Sequence, residues 1–280
     1  MKILFISKYQ LNHVGGVEKH ISKILPRIKA RGYDITLVTE EDIRPLKIKY
    51  LGLLYIWFWL LKNIKLIYYS DIIHIHDVFI WFLPFKLIFP LKKVYITFHG
   101  WEGKYPIPIW NVLNKQIANK LSNGSISIGQ FIGRYYKIKS NYVIYGGISK
   151  IRVQKLKLKN TMVFVGRLES DTGLVQFLKW LEKHGQNMKV EFVGDGSLRK
   201  DCEKFGKVYG FCDPTPFYKK AETVVPSGYL TYLEAKSYGC KIKTFYGNKL
   251  KKEYWEEILH LKKFDTWDDI TNVYLKLWNN

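Results

Sequence analysis

A short strand pattern followed by a glycine turn and a helix start constrains this chain more than any other feature. Residues 161–173 read TMVFVGRLESDTG, and Thr161–Val165 is a short apolar, β-favouring run, which is typical of a buried strand. Gly166 and Arg167 then predict a turn, and Gly173 opens an amphipathic helix. Helix N-termini bind anions, and guanidinium groups pair with phosphate. The stretch predicts an anion site, against the alternative of an ordinary connection whose arginine lies in solvent.

Strand and helix patterns alternate along most of the chain. The first strand is predicted at Lys2–Ser7, and the alternation continues to about Tyr145. A polar, basic segment at 150–160 is predicted to be a linker, after which the alternation runs from Met162 to about Phe245. Alternation of this kind predicts an α/β fold in which helices wrap parallel sheets.

Two doubly wound halves account for this pattern better than one large sheet, and 280 residues are enough for two modest domains. We predict a Rossmann-like N-terminal domain over residues 1–150 and a Rossmann-like C-terminal domain over 151–265. Residues 266–280 are predicted to form a final helix.

The chain is strongly basic, with a formal net charge of +21. Residues 1–150 contribute 22 Lys and Arg against 8 Asp and Glu, so most of the excess lies in the first half. An excess of this size favours anionic partners such as nucleotides, lipid headgroups or nucleic acid. A lysine-rich proteome is the alternative explanation.

The cysteines and the N-terminus suggest a location. Cys202, Cys212 and Cys240 are odd in number and lack metal-ligand spacing, which predicts reduced, structural thiols. No signal peptide precedes the strand that begins at Lys2. We therefore predict a cytoplasmic protein, with peripheral membrane association left open.

Two apolar stretches bear on membrane association. Leu51–Leu61 has 11 residues between two lysines, and Val78–Leu91 contains Pro84, Lys86 and Pro90. A membrane span needs about 20 apolar residues, so neither stretch is predicted to cross a bilayer. Aromatic, lysine-flanked helices suit the plane of a membrane interface, and burial in the protein core is the alternative.

A series of motifs follows the order found in one enzyme family. The N-terminal half contains KILFIS, then GGVEKHI (15–21), DIIHIHD (71–77), VYITFHG (94–100) and YVIYGGIS (142–149). The C-terminal half contains GRL (166–168), VEFVGDGSLRKDCE (190–203) and YLTYLEAKSYGCKI (229–242). This series resembles glycosyltransferase family 4, as a shortened and divergent member, over nearly the whole chain.

The resemblance implies a GT-B architecture, in which two Rossmann-like doubly wound domains face each other across a cleft. It implies a retaining, metal-independent hexosyltransferase that needs no cofactor and takes a UDP- or GDP-type nucleotide-sugar donor. The N-terminal domain would bind the acceptor, plausibly a lipid-linked or membrane-presented glycan, and the C-terminal domain the donor. The final helix would pack back on the N-terminal domain. We expect no nucleic-acid partner, and we leave binding to an anionic membrane surface open.

The resemblance also implies the site residues. Arg167 would neutralise charge on the leaving phosphate, Glu234 would accept hydrogen bonds from the ribose hydroxyls, and His99 would lie near the transferred sugar, so these three are the predicted catalytic residues. Gly194 and Gly196 would bound a loop near the base. The implied donor-binding residues are Gly15, Gly16, Gly166, Arg167, Thr172, Gly194, Gly210, Phe211, Gly228, Tyr229, Leu230 and Glu234.

The sequence departs from the family at two positions. Thr172 stands where the family has a lysine, and the first glutamate of its Glu pair is missing near Pro226 and Ser227. A second phosphate-neutralising cation would then come from elsewhere, and the candidates are Lys219, Lys220 and Lys236. Each of these could equally be a solvated lysine.

Two histidines and two glycines have competing interpretations. His74 and His76 alternate on a predicted strand, but two histidines without a third ligand are a weak metal signal, so we interpret them as structural or acceptor-side groups. Gly15 and Gly16 would let a loop approach the donor phosphate, or they form a plain turn. Glu234 could be a surface residue of an amphipathic helix.

Two further functions remain open at the sequence level. The departures at Thr172 and Ser227 would also suit a degenerate member that binds a nucleotide sugar or glycan without turnover. The charge of +21 would suit a DNA-modifying glycosyltransferase, although no DNA-reading motif is recognisable.

Overall fold

The computed structural model describes residues 1–10, 15–45, 48–101, 103–149, 157–261 and 263–279. Within it the chain divides into two compact units. Unit 1 comprises Met1–Glu102, Pro106–Ile144 and Trp267–Asn280, and unit 2 comprises Gly103–Tyr105 and Tyr145–Thr266. Each unit is built around its own parallel sheet, which confirms the predicted α/β class with two Rossmann-like domains.

Unit 1 contains a six-stranded parallel sheet in the order β2-β1-β3-β4-β5-β6. Every residue of β3 and β5 is buried, as expected for parallel strands covered on both faces. The strands are β1 (Lys2–Ser7), β2 (Asp34–Val38), β3 (Ile72–His76), β4 (Lys93–Phe98), β5 (Gly124–Ile128) and β6 (Tyr142–Ile144). The helices between them are α1 (Gly16–Lys29), α2 (Glu40–Ile43), α3 (Lys49–Lys62), α4 (Ile64–Tyr68), α5 (Phe79–Ile88), α6 (Ile109–Leu121) and α7 (Gln130–Tyr136).

Unit 2 contains a five-stranded parallel sheet in the order β11-β10-β7-β8-β9. Its strands are β7 (Leu158–Val165), β8 (Lys189–Val193), β9 (Lys207–Val208), β10 (Ala221–Pro226) and β11 (Lys241–Ile242). A 3-10 turn at Ser170–Thr172 precedes its helices, which are α8 (Leu174–His184), α9 (Arg199–Glu203), α10 (Thr215–Lys220), α11 (Tyr229–Ser237) and α12 (Lys249–Leu259).

The predicted linker needs a correction. Residues 150–156 lie outside the described residues, but Leu158–Asn160 form the start of β7. Leu158 pairs with Ala221 of β10, and the register shifts between Ala221 and Thr223. This pairing with a neighbouring strand makes a polar segment extended, which a search for apolar periodicity does not detect.

The final helix, α13 (Trp267–Asn279), belongs to unit 1 and packs against α1. Trp278 donates its indole N–H to His74 Nδ1 on β3 at 2.9 Å. Asp268 pairs at the surface with Arg31 at 3.3 Å and with Arg27 at 3.5 Å. Because Trp267, Tyr274 and Trp278 are buried, α13 is an integral part of the core of unit 1.

The apolar stretches form α3 and α5, and both helices leave large side chains at the surface. Ile56 and Leu60 of α3 are buried, whereas Phe58 is 63% exposed. In the part of the chain that the structure describes, no helix combines the length and the apolar character that crossing a bilayer requires. All three cysteines are free thiols, and Cys212 is exposed, so the prediction of a structural role is wrong for that residue.

Candidate functional site

The strand order of unit 2 reverses at β7. β8 and β9 lie on one side of this strand, and β10 and β11 lie on the other. In open parallel sheets ligands bind at the carboxyl ends of the strands where the order reverses, because the connections leave there in opposite directions. The segments that begin at this point are Gly166–Arg167 after β7 and Ser227–Gly228 after β10. We therefore call the carboxyl ends of β7 and β10 the switch point.

Two glycines allow the backbone to close up at the switch point. Gly166 has a φ of +140°, and a Cβ built on it would lie 1.7 Å from Ser227 Oγ. Gly194, at the end of β8, has a φ of +147°, and its Cβ would lie 1.8 Å from the Gly166 carbonyl oxygen. The Gly194 N–H donates to the Gly210 carbonyl at 2.8 Å. The predicted residues Gly166, Gly194 and Gly210 are thus brought together.

Arg167 lies at the surface of this turn. Its side chain is 54% exposed and donates from Nη2 to Asp171 Oδ2 at 2.8 Å. The loop after β8 is hydrogen-bonded to this turn, because Glu169 accepts from the Ser197 N–H at 2.9 Å and from the Ser197 hydroxyl. These two hydrogen bonds lower the pKa of Glu169, and the bond from the Ser197 hydroxyl has the larger effect. Arg167 thus keeps an accessible guanidinium face beside a fixed carboxylate.

Thr172 and Phe211 differ in accessibility. Thr172 is buried, and its hydroxyl donates to the Glu169 carbonyl at 2.6 Å, so it braces the turn and supplies no charge. Phe211 follows Gly210 and is 49% exposed. The position where the family has a lysine is therefore occupied by a locally engaged, neutral side chain.

The start of α11 is more constrained than the sequence suggested. The Tyr229 N–H donates to the Tyr254 hydroxyl at 2.6 Å, and the Gly228 N–H donates to Thr231 Oγ1 at 3.2 Å. The N–H groups of Gly228 and Tyr229, two of the implied donor-binding residues, are thus engaged within the protein. The Leu230 side chain is buried.

Glu234 is half-buried on the second turn of α11. The buried Tyr218 hydroxyl donates to Glu234 Oε2 at 3.4 Å. Burial, and after it the charge of the Glu234 carboxylate, raises the pKa of Tyr218 well above its ordinary value. The phenol therefore stays a donor and orients the carboxylate, which can accept further hydrogen bonds.

Lys251 is a cation that the sequence analysis missed. It lies in the first turn of α12, is 6% exposed, and donates from Nζ to the Ser227 carbonyl at 2.8 Å. Its ammonium lies 4.4 Å from the ring centroid of Tyr254. Burial is the main cause that lowers the pKa of Lys251 to about 8; Asp171 raises it and Arg167 lowers it further. Lys251 thus interacts electrostatically with Arg167 and Asp171.

The start of α12 was the feature of the sequence from which Lys251 could have been found. Asn248 caps α12, accepting from the Lys251 N–H at 2.8 Å, and the buried positions Tyr254, Trp255 and Ile258 follow with helical spacing. The other proposed cations, Lys219, Lys220 and Lys236, are exposed. Only the tertiary structure reveals that Lys251 points inward.

In unit 1 the two N-terminal glycines have different environments. A Cβ on Gly15 would lie 2.3 Å from Glu18 Oε2, whereas a Cβ on Gly16 would meet no atom within 4 Å. Gly15 is extended, with a φ of −160° at the start of α1. Close packing on the buried Glu18 carboxylate explains the first glycine, and nothing in the structure explains the second.

His99 lies in a buried cluster with His20, His74 and His76. His99 Nε2 is 2.7 Å from His76 Nδ1, and its backbone N–H donates to the Asp77 carboxylate at 3.1 Å. Burial, and after it the positive charge of Lys115, lowers the pKa of His99 to about 3. The side chain is therefore a neutral imidazole.

Hydrogen bonds run through the same cluster. Because an indole N–H only donates, His74 Nδ1 accepts from Trp278, and the His74 proton lies on Nε2, 2.8 Å from Thr97 Oγ1. Thr97 Oγ1 lies 3.0 Å from the Tyr274 hydroxyl, which in turn lies 3.0 Å from His20 Nε2. Burial, and after it the field of His99, keep the pKa of His74 and His20 well below 6.5.

These contacts favour the structural interpretation of His74 and His76. Their rings stack on Phe5, with centroid distances of 5.4 and 5.2 Å. Across the described ranges, no group of three or more His, Cys, Asp and Glu side chains could hold a metal ion. Asp77 has a φ of +62° and pairs with the buried Lys115 at 3.1 Å, which fixes the loop after β3.

Comparison with solved structures identifies the fold. HepE from Anabaena, solved in complex with UDP and glucose, is similar with a TM-score of 0.66 and 12% identity over 100% of this chain and 90% of that one. A putative UDP-N-acetylglucosamine 2-epimerase from Listeria monocytogenes gives a TM-score of 0.59 and 12% identity over 100% and 88% of the two chains. An α-glucosyltransferase in complex with UDP and a 13-mer DNA gives 0.59 and 11% over 100% and 90%.

These similarities, together with the two parallel sheets, show that the chain has the GT-B fold. In sequence it matches no family model and no curated protein. At this level of identity the comparison establishes the fold alone, so membership of family 4 stays a prediction.

Proposed function

We propose that this chain is a glycosyltransferase that takes a sugar from a UDP- or GDP-type donor held by unit 2. The observation that carries the proposal is that the predicted phosphate-binding residues meet at the switch point, where sheets of this kind bind ligands. The printed names of the neighbours add support, since HepE and the α-glucosyltransferase were both solved with UDP.

In the proposed complex, Arg167 binds the diphosphate and the Glu234 carboxylate accepts hydrogen bonds from the ribose hydroxyls. A guanidinium beside the leaving phosphate stabilises the charge that develops as the glycosidic bond breaks. Tyr218 donates to one oxygen of Glu234, and a carboxylate is a natural acceptor for a vicinal diol. We further propose transfer of a hexose with retention, as in family 4, without a metal ion, to a lipid-linked or membrane-presented glycan.

Replacing Arg167 or Glu234 by alanine should weaken UDP binding by about 10- to 100-fold, because each variant removes a charge-assisted hydrogen bond. Isothermal titration calorimetry with UDP and GDP measures this and reports the preferred base. Lys241→Ala is the matched control, since it also removes an exposed cation of unit 2 that is paired with a carboxylate, at 2.9 Å. Unchanged affinity in both alanine variants would contradict the assignment.

We also propose that Lys251 is the second cation of the phosphate site. Arg167 is paired with Asp171 and Thr172 is neutral, so these residues alone leave a bound diphosphate poorly neutralised. Lys251 donates one described hydrogen bond, to the Ser227 carbonyl, and an ammonium group can donate three. Keeping an ammonium buried costs stability, and such groups concentrate at functional sites.

Lys251→Met should weaken UDP binding by about tenfold or more, because it removes a charge-assisted contact while keeping the apolar stem. Lys252→Met, on the exposed side of α12 at 52% exposure, is the control. The unaltered protein gives a second readout. Because the pKa of Lys251 is lowered to about 8, a bound phosphate should raise it again and draw in a proton.

Calorimetry at pH 8 in two buffers of different ionisation enthalpy measures that proton uptake, which we expect to be about half a proton per UDP. Wild-type binding without proton uptake, together with equal affinity in the two methionine variants, would remove Lys251 from the site. Arg167 would then remain as the phosphate ligand, so the test separates this residue from the wider proposal.

Transfer must be distinguished from binding alone, since Thr172 and Ser227 bring no charge to the site. Slow release of UDP from a UDP-sugar without acceptor would support an active enzyme, and tight binding without any release would support a degenerate binder. Because one structural neighbour was solved with DNA, the acceptor screen should include a DNA duplex beside glycolipids. A steep salt dependence of duplex binding would favour the DNA-modifying alternative.

A further inference from the structure

Three neighbouring helices of unit 1 carry apolar side chains at the protein surface. α3 packs against α5, and α5 packs against α6. The Trp57 indole N–H donates to the Ile80 carbonyl at 3.0 Å and ties α3 to α5. The three helices thus form one layer, whose outward-facing residues we call the apolar face.

The apolar face is regular. On α3 the exposed residues follow a spacing of three or four, which places them on one side of the helix. Phe58 is 63%, Trp110 72% and Leu91 96% exposed. The exposed apolar residues of the layer and of the turn after α5 are Leu51, Leu54, Tyr55, Phe58, Leu61, Ile80, Leu87, Ile88, Leu91, Ile109, Trp110, Leu113 and Ile117. Exposed groups of this size mark interaction surfaces.

The charged residues of these helices are of one sign. The sequences of α3, α4, α5 and α6 contain no Asp or Glu. Their lysines include Lys62 at the end of α3, Lys65 in α4 and Lys120 near the end of α6, all of which are exposed. The Lys115 ammonium is used inside unit 1 by Asp77. An apolar surface on helices that carry lysines and no acidic residues is complementary to an apolar layer bordered by phosphates.

We propose that the apolar face docks unit 1 onto the surface of an anionic lipid bilayer, with the aromatic and aliphatic side chains entering the headgroup region. α3, α5 and α6 have 14, 10 and 13 residues, so they lie in the interface and do not span it. A second copy of the chain is a poorer occupant, because joining two such faces would bring ammonium groups of like charge together. The proposal does not depend on the donor site.

Sedimentation with lipid vesicles tests the proposal. We expect the unaltered protein to sediment with phosphatidylglycerol-containing vesicles at low salt and to remain in the supernatant with pure phosphatidylcholine. The triple variant Phe58→Ser/Leu87→Ser/Trp110→Ser should remain in the supernatant in both cases. Leu259→Ser in unit 2, at 45% exposure, is the matched control and should sediment like wild type.

Two measurements separate the contributions. Replacing Lys62, Lys65 and Lys120 by glutamine should weaken binding to anionic vesicles by about a hundredfold, since each basic residue near such a surface adds about fivefold. Quenching by lipids brominated near the headgroup should be weaker in Trp110→Phe than in wild type, because Trp110 would lie at the boundary between headgroups and acyl chains.

Two outcomes would overturn the proposal. Equal recovery in the supernatant with neutral and anionic vesicles would end it. So would dimerisation of wild type that the serine variant abolishes, without vesicle binding, because the face would then be covered by a second copy. A cooperative urea transition followed by tryptophan fluorescence shows that unit 1 of the serine variant is folded, and its loss would direct the test to the lysine variant.

Discussion

Lowering the pH from 8 to 5 should reduce the free energy of unfolding of unit 1 by up to about 8 kcal/mol, which is comparable with the whole stability of a typical domain. The cause is the cluster of His20, His74, His76 and His99, which is buried and neutral. Burial is the main cause that keeps the pKa of all four below 6.5, to about 3 for His99.

The direction follows from proton binding. In the unfolded chain each histidine takes up a proton as the pH falls through about 6.5, whereas the folded cluster stays neutral. The unfolded state therefore gains protons that the folded state lacks, and stability is lost as the pH falls below about 6.5. Each histidine contributes at most about 2 kcal/mol of the loss at pH 5, a limit set by its pKa of about 6.5 in the unfolded chain. The hydrogen bonds agree, since protonated His74 would turn a second donor towards the Trp278 indole.

Urea unfolding at a series of pH values measures this effect. Seven of the nine tryptophans lie in unit 1 and all three cysteines lie in unit 2, so fluorescence and thiol labelling follow the two units separately. We expect fluorescence to report the acid transition first. His74→Gln should lower the pH slope by about one proton, and the control His184→Gln, at an exposed position, should not. A fluorescence midpoint that is flat between pH 8 and 5 would contradict the prediction.

Gly166→Ala should destabilise unit 2 by about 4 kcal/mol and abolish UDP binding. The new Cβ would lie 1.7 Å from Ser227 Oγ, at a φ of +140° that residues with a side chain rarely adopt. Since Ser227 leads into α11, relief of this clash would separate the segments that leave β7 and β10. Thermal or urea unfolding measures the first effect and calorimetry the second.

A double-mutant cycle separates clash from backbone strain. Adding Ser227→Gly removes both side-chain atoms that the new Cβ at position 166 would meet below 3 Å, so the double variant should recover about half of the lost stability and leave the cost of the positive φ. Gly16→Ala is the control, because its Cβ would meet no atom within 4 Å and it should change stability by less than about 1 kcal/mol. Wild-type stability in Gly166→Ala would show that the turn can open without consequence.

Local patterns in the sequence were sufficient for much of the donor-binding unit. The apolar run before Gly166 predicted β7, and Gly173 marks the helix start that becomes α8. The same reasoning placed 158–160 in a linker, because strand pairing with β10 and not apolar periodicity makes that segment extended. It also missed α12, whose lysines and glutamates conceal a buried face of Tyr254, Trp255 and Ile258.

The histidines illustrate a second limit. His74 and His76 alternate on a strand, and from the sequence they could be metal ligands, acceptor-side groups or core residues. The decision lies in contacts with residues distant in the chain, since Trp278 on α13 donates to His74 and His99 after β4 lies 2.7 Å from His76. No spacing rule within β3 predicts a partner about 200 residues away.

What the sequence determined by itself is the α/β class and the order of its elements, because helix and strand periodicities and glycine turns are properties of neighbouring residues. What only the tertiary structure decided is which side chains surround the switch point and in which state. Lys251 reaches Ser227, the start of α11 is bonded to Tyr254, and four histidines are kept neutral, all through contacts between distant segments. Burial and pairing of charges depend on the surroundings of each group, and those surroundings exist only once the sheets have formed.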